Sequence, residues 1–124
     1  MTRLPADHFT SKVVGVSFVD NYPENLLALS IAMDERPPEH LEEPLPAVLK
    51  RNPDNVHDAN AIEIHVPQLG DYGMIGHLPR DLAARLAPEL DEGGRWQAGV
   101  ASVLINPEHL DRPGISIDLR RVTA

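Results

Sequence analysis

The chain has 124 residues, no cysteine, twelve prolines and a formal net charge of −8, a size that allows one domain with a single core. Without cysteine there are no disulfides, thiolate nucleophiles or cysteine-ligated zinc, and nothing suggests an oxidising compartment. No apolar run reaches the ~20 residues needed to span a bilayer, and the start, Met1 to His8, lacks the apolar centre of a signal peptide. The expectation is therefore a cytoplasmic protein with no membrane partner.

A net charge of this sign opposes nucleic acid at long range if it is spread evenly. It is not spread evenly. Residues 20–45 hold Asp20, Glu24, Asp34, Glu35, Glu39, Glu42 and Glu43 against Arg36 alone, a local −6, and the remaining 98 residues sum to −2. A basic face over Lys12, Lys50, Arg51, Arg80, Arg120 and Arg121 is compatible with that distribution.

Residues 12–19 are rich in β-branched side chains and end at Asp20-Asn21, so they read as a strand, with Gly15 marking a bulge or a close backbone approach. Residues 23–33 read as a short helix, with Pro23 in its first turn and Leu26, Leu27 and Ile31 at helical spacing. Four prolines among acids make residues 34–46 an extended, solvated insertion. A second strand at 47–51 runs into the turn formers Asn52-Pro53-Asp54-Asn55. Strict alternation over 61–66 puts Ile62, Ile64 and Val66 on one face and Glu63 and His65 on the other. After a turn at 68–73, residues 74–78 return as the partner strand of a hairpin.

Leu82, Leu86 and Leu90 form one stripe of an amphipathic helix that starts near Pro79 and stops at Gly93-Gly94, with Pro88 kinking or shortening its last turn. That stripe reads as core. Strands at 96–105 and 115–122 complete the chain. Six short strands with one helix before the second strand and another between the fourth and fifth predict a mainly β, closed or partly closed barrel.

The densest chemistry lies in Lys50-Arg51-Asn52-Pro53-Asp54-Asn55-Val56-His57-Asp58-Ala59-Asn60-Ala61-Ile62 and in Ile75-Gly76-His77-Leu78-Pro79-Arg80. Asn and Asp side chains readily bond nearby backbone groups, so Asn55, Asp58 and Asn60 can hold a turn with no ligand; on residue types alone that is the commoner outcome. Alternatively Asn55 and Asp58 project beside His77 and Arg80, where a carboxylate accepts a hydroxyl hydrogen bond and the cations hold a phosphate.

These two segments, in this order and spacing, closely resemble the HIRAN domain, and Val13 to Phe18 resembles that family's first strand. The resemblance covers roughly residues 12–105 and places the whole chain, 1–124, in one domain with a core at about 12–122 and an acidic, proline-rich insertion at about 34–46. It implies a small OB-like, six-stranded β-barrel that binds single-stranded DNA and captures 3′ ends, in a repair or replication setting. By position, Asp58 would accept the terminal 3′-hydroxyl, Asn55 would help hold the last nucleotide, and His57 stands where DNA-binding members carry a stacking tyrosine. Phe18 matches an aromatic packed against a base, and His77 and Arg80 match the residues that contact backbone phosphates. Val56 replaces a proline common in the motif, and Ser17 stands where eukaryotic members have an arginine.

No nucleophile with a base, no Gly-rich phosphate loop and no metal-ligand spacing appears in the sequence, so neither catalysis, a cofactor nor a bound metal is expected. His65 reads as a surface residue, and Trp96 and Phe9 as packing residues. The partners implied are single-stranded DNA or DNA ends, and a helicase or nuclease protein supplying any enzymatic step. Two other readings stand beside this one: a protein-interaction module using the barrel surface or the acidic loop, and a metal-dependent hydrolase using the histidines.

Overall fold

The computed structural model describes residues 7–16, 22–105, 108 and 114–122. In chain order they form β1 (His8–Lys12), α1 (Tyr22–Asp34), β2 (Leu45–Arg51), β3 (Ile62–His65), β4 (Met74–His77), α2 (Arg80–Asp91), β5 (Trp96–Leu104) and β6 (Gly114–Arg121). Short 3-10 turns at Pro38–His40 and Pro67–Tyr72 join the neighbouring elements. The strands make one antiparallel sheet in the order β1-β6-β5-β2-β3-β4, a curled, OB-like half-barrel as the sequence predicts.

The curl brings the two ends of the sheet together. Val13 donates its N–H to the Ile115 carbonyl at 2.8 Å, and the chain then crosses from β6 to the opposite edge. There Val14 and His77 exchange both backbone hydrogen bonds, each at 2.9 Å. Gly76 makes this contact possible. It has φ +147°, and a Cβ at this position would lie 2.5 Å from Val13 Cγ1 and 2.7 Å from the Val14 carbonyl oxygen, closer than non-bonded atoms tolerate.

Alternation explains which side chains fill the barrel. Ile62, Ile64 and Val66 are fully buried, as are Ile117 and Leu119 of β6 and Val100 of β5, while Glu63 and His65 look outward. Leu29 of α1 and Leu86 of α2 plug the interior from the two helices. Asn25, buried in α1, donates its side-chain N–H to the Met74 carbonyl at 2.8 Å and so ties that helix to β4.

Several expectations shift. The predicted 12–19 strand is displaced: β1 covers His8–Lys12, pairing with β6 from His8↔Arg120 to Lys12↔Ser116, and of the described residues 13–16 only Val14 makes a bridge. Residues 17–20 lie outside the described ones. β1 accordingly begins at His8, before residue 12. The acidic insertion is not extended throughout, because Arg36 turns back to donate to the carbonyls of Met33, at 3.0 Å, and Glu43, and Leu45 and Pro46 already belong to β2. The leucine stripe of α2 is only partly core: Ala83, Leu86 and Ala87 are buried, and Leu82 and Leu90 flank them half-buried. Pro88 does not shorten the helix, which runs on to Asp91.

The basic face is also thinner than the sequence suggests. Arg121 is buried with its guanidinium bidentate on Glu89, Nε to Oε2 at 3.0 Å and Nη2 to Oε1 at 2.8 Å, and it also reaches Asp7. The Trp96 indole N–H donates to the same Glu89 carboxylate at 2.6 Å, the Arg121 guanidinium lies 4.7 Å over the Trp96 ring, and Phe9 meets that ring edge-on at 5.5 Å. Glu89 hydrogen bonding holds the Arg121 guanidinium even further above its usual range, against the opposing effect of burial. Phe9 and Trp96 are thus packing residues, as expected, partly buried against the core.

Replacing Gly76 by alanine is expected to cost about 2–3 kcal/mol, from left-handed backbone strain and overpacking against Val13. Urea unfolding measures the loss. The Val14 and His77 amides should also exchange faster than the β5–β6 amides, whereas a uniform loss of protection would show that this seam is not a local closure.

Candidate nucleic-acid interface

The loop between β2 and β3 is built by its own side chains. Asn55 Oδ1 accepts the N–H groups of His57 at 2.9 Å and Asp58 at 3.0 Å, and Asp58 Oδ1 accepts the Asn60 N–H at 2.9 Å. Backbone bonds from Asn55 N–H to the Asn52 carbonyl, and from Ala61 N–H to the Asp58 carbonyl, make successive turns. Such side-chain to backbone bonding is the reason Asn and Asp recur here, and the structural use of these residues inferred from residue types alone is realised.

That use does not exhaust them. Asp58 keeps Oδ2 directed toward Arg80, whose Nε lies 4.0 Å away, while Arg80 Nη2 donates to the His57 carbonyl at 3.3 Å. The Arg80 side chain is 77% exposed and that of Asp58 20%, so the pair is a loose one at the rim, of the kind that contributes little to stability. His57 is exposed. A half-buried carboxylate with one oxygen outside the loop's own hydrogen bonds thus stands beside an exposed guanidinium and an exposed imidazole.

His77 ends β4. It faces Glu63 directly across the ladder, and its Nδ1 lies 3.6 Å from where a Gly15 Cβ would stand, so the ring rests against the Gly15 backbone at the barrel seam. Gly15 has φ +69°, a left-handed conformation that glycine adopts without strain. Glu63 in turn accepts from Asn52 Nδ2 at 3.0 Å and meets His65 Nε2 at 2.9 Å. The fold therefore gathers Asn55, His57, Asp58 and Arg80 into one cluster, while the contacts of His77 are with Glu63, Val14 and Gly15. Phe18 lies outside the described residues.

Arg51, read in the sequence as part of a basic face, is instead a brace for the loop. Its Nη1 donates to the carbonyls of Ala59 at 3.1 Å and Ala61 at 3.0 Å, and Nε and Nη2 grip both oxygens of Asp91 at 2.9 and 3.2 Å. The loop is thereby fastened to the last turn of α2. Sequence spacing gives no sign of this, because the partner lies 40 residues away. The Glu63–His65 contact was more accessible, since the two share one face of an alternating strand.

A separate cleft of about 710 Å³ opens where β2 parts from β5, lined by residues such as Val48, Leu90, Arg95, Trp96 and Arg120, and it contains none of the loop residues. Among the described residues no group of three or more His, Asp or Glu is placed to hold a metal ion, and no helix is long and apolar enough to cross a membrane.

Comparison with known proteins gives the family and the fold. The profile of the HIRAN domain matches residues 7–118, and the chain belongs to that family, a family of nucleic-acid-binding modules. A Fanconi-associated nuclease 1 homolog from Oryza sativa subsp. japonica is 30% identical over 93 residues, which are 73% of this chain but only 10% of that relative. The chain therefore spans about a tenth of that nuclease homologue's length. Among solved structures, the HIRAN domain of human HLTF superposes with a TM-score of 0.59 at 18% identity, over 92% of this chain and 74% of that one. A protein from Lactobacillus plantarum superposes with a TM-score of 0.57 at 22% identity, over 90% and 91% of the two chains. At these identities the two structures establish the shared fold.

The brace has a pH signature. Hydrogen bonding from Arg51 holds the Asp91 carboxyl below its ordinary value of about 3.9. A depressed carboxyl contributes its interaction above that ordinary value and loses it as pH falls through the lower, folded one. The Arg51–Asp91 link should thus be intact at neutral pH and fail only in strong acid. An NMR titration of Asp91 is expected to give a midpoint below 3.9 that rises toward it in Arg51→Gln, together with faster exchange of the Ala61 amide; an unmoved midpoint would remove Arg51 as the cause.

Proposed function

We propose that the protein is a single-stranded DNA-binding module that captures free 3′-hydroxyl ends, with no catalytic step of its own. The observation that carries the reading is the ordered 52–61 loop, which uses Asp58 Oδ1 internally and leaves Oδ2 at the surface beside Arg80. A carboxylate oxygen in that position accepts a hydroxyl hydrogen bond and repels a terminal phosphate, so a free 3′ end is selected partly by a like-charge penalty against the alternative.

The other side chains fit divided roles. Arg80 and His77 contact backbone phosphates, which position the strand without reading its sequence. The exposed His57 ring offers a stacking face, a contact that accepts any base because every base has a π-face. Asn55 shapes the turn that presents His57 and Asp58 and helps hold the last nucleotide. Phe18, by the family resemblance, supplies a second stacking surface. Sequence preference should accordingly be weak.

A module of this kind works in DNA repair or replication through a catalytic partner, a helicase or a nuclease. Membership in a family that also occurs within a much longer nuclease homologue supports that setting. Binding takes place in the cytoplasm.

Fluorescence anisotropy with a labelled oligothymidylate at low salt tests the reading. Wild type should bind a 3′-hydroxyl end about tenfold more tightly than a 3′-phosphate end, a difference of about 1.4 kcal/mol. Asp58→Asn, which keeps an oxygen for the Asn60 N–H and removes the charge, should abolish that preference while leaving the unfolding midpoint close to wild type. With one or two phosphates contacted, the slope of log affinity against log salt should be about −0.7 to −1.4. No binding in the range of tens of micromolar, or a preference indifferent to Asp58, would refute 3′-end capture.

A further inference from the structure

Helix α1 is apolar almost all round. Leu26, Leu29, Ala32 and Met33 are buried against the barrel, yet Leu27 and Ile31, one turn apart on the outer side, are 61% and 46% exposed. A helix with apolar side chains on every face is normally covered on every face, and among the described residues the barrel covers one side only. Leu41, just beyond the 3-10 turn, is a third exposed large apolar side chain in the same stretch, at 47%.

Charge defines what can cover this face. Counting along the helix, Glu24 lies three residues before Leu27, and Asp34 and Glu35 lie three and four residues after Ile31, so the apolar pair and its bracketing carboxylates share one side. All three acids are exposed. The adjoining turn adds the exposed Glu39, Glu42 and Glu43. The cation within it, Arg36, is directed at the carbonyls of Met33 and Glu43, and His40 meets the Glu43 carboxylate at 2.9 Å. This rim repels a phosphate backbone. It also opposes a second copy of the chain, which would set carboxylates against carboxylates at both ends of the apolar pair.

We infer that the outer face of α1 docks a basic, amphipathic helical segment of a partner protein, whose paired apolar side chains cover Leu27 and Ile31 and whose lysines or arginines meet Glu24, Asp34 and Glu35. This is helix-to-helix recognition with apolar anchors one turn apart. Its residues are distinct from the Asn55–Asp58 loop and from Arg80, so the partner and a DNA end can be bound together. The charge asymmetry of the chain then has a use: the acidic 20–45 segment recruits protein, and the remainder, at a net −2, is left to face nucleic acid.

Two labelled 16-residue probe peptides of helix-forming alanine test this, each with two leucines four positions apart, one carrying lysines and the other glutamates at the remaining surface positions. The full chain should bind the lysine peptide at least tenfold more tightly than the glutamate peptide, with affinity falling as salt rises. The double variant Leu27→Ser/Ile31→Ser should lose at least tenfold for the lysine peptide and keep its circular dichroism spectrum. Glu24→Lys, as an independent surface variant, should weaken the same peptide and strengthen the glutamate one. In wild type and both variants, binding to the 3′-hydroxyl oligonucleotide should be the same, which separates failure here from failure of end capture. Equal binding of the two peptides, no binding of the lysine peptide, or indifference to the double variant would overturn the proposal. So would a concentration-dependent dimer in sedimentation equilibrium that the double variant abolishes, because that would assign the face to a second copy.

Discussion

Two backbone hydrogen bonds between Val14 and His77, each of 2.9 Å, join the ends of the sheet, and the location of the candidate site depends on them. The sheet order leaves β1 and β4 as opposite edges, and unpaired edges invite non-native pairing. Crossing from β6 to β4 immediately after Lys12 covers the β4 edge and sets the Gly15 backbone against the His77 ring. A structural need, closure of the barrel, thus sets Gly15 against His77, three residues before Arg80.

The loop shows how structure and binding share side chains. Asn55 and Asp58 each give one oxygen to backbone N–H groups, and these bonds present the second Asp58 oxygen in a fixed direction. A ligand that meets a loop already held in place does not have to order it, so less of the interaction energy is lost on binding. Arg51 extends that logic by fastening two loop carbonyls to Asp91 of α2. Removing a positive charge from the open surface to do so leaves Arg80 as the exposed cation beside the carboxylate.

Much of this was legible in the sequence, and the exceptions share a physical cause. Alternation in 61–66 identified β3 and its buried face because a half-buried strand imposes a period of two. The Asn/Asp-rich loop announced itself through local bonding, and Gly15 through its place inside a β-branched run, whereas the close approach at Gly76 did not. Long-range pairs left no trace: Arg51 with Asp91 and Arg121 with Glu89 lie 40 and 32 residues apart, and as single letters they read as free surface charges. The first strand was misplaced because Val13, Val14 and Val16 are β-branched whether they extend a strand or plug the seam, whereas polar His8, Thr10 and Ser11 disguise the true β1. The exposed Leu27 and Ile31 were equally hidden, since periodicity marks a helix and says nothing of which apolar side has been covered.

The central claim is that closure of the barrel and the ordered 52–61 loop together form one binding surface for a DNA end. The most direct measurement is an amide chemical-shift map of the whole chain titrated with a short 3′-hydroxyl oligothymidylate. The account predicts that the largest changes fall on residues 55–60, on His77 and Arg80, and on Gly15 across the seam, with the β2–β5 cleft around Trp96 unmoved. Shifts concentrated at Arg95, Trp96 and Arg120, with the 55–60 amides unchanged, would contradict it and place nucleic acid in the β2–β5 cleft.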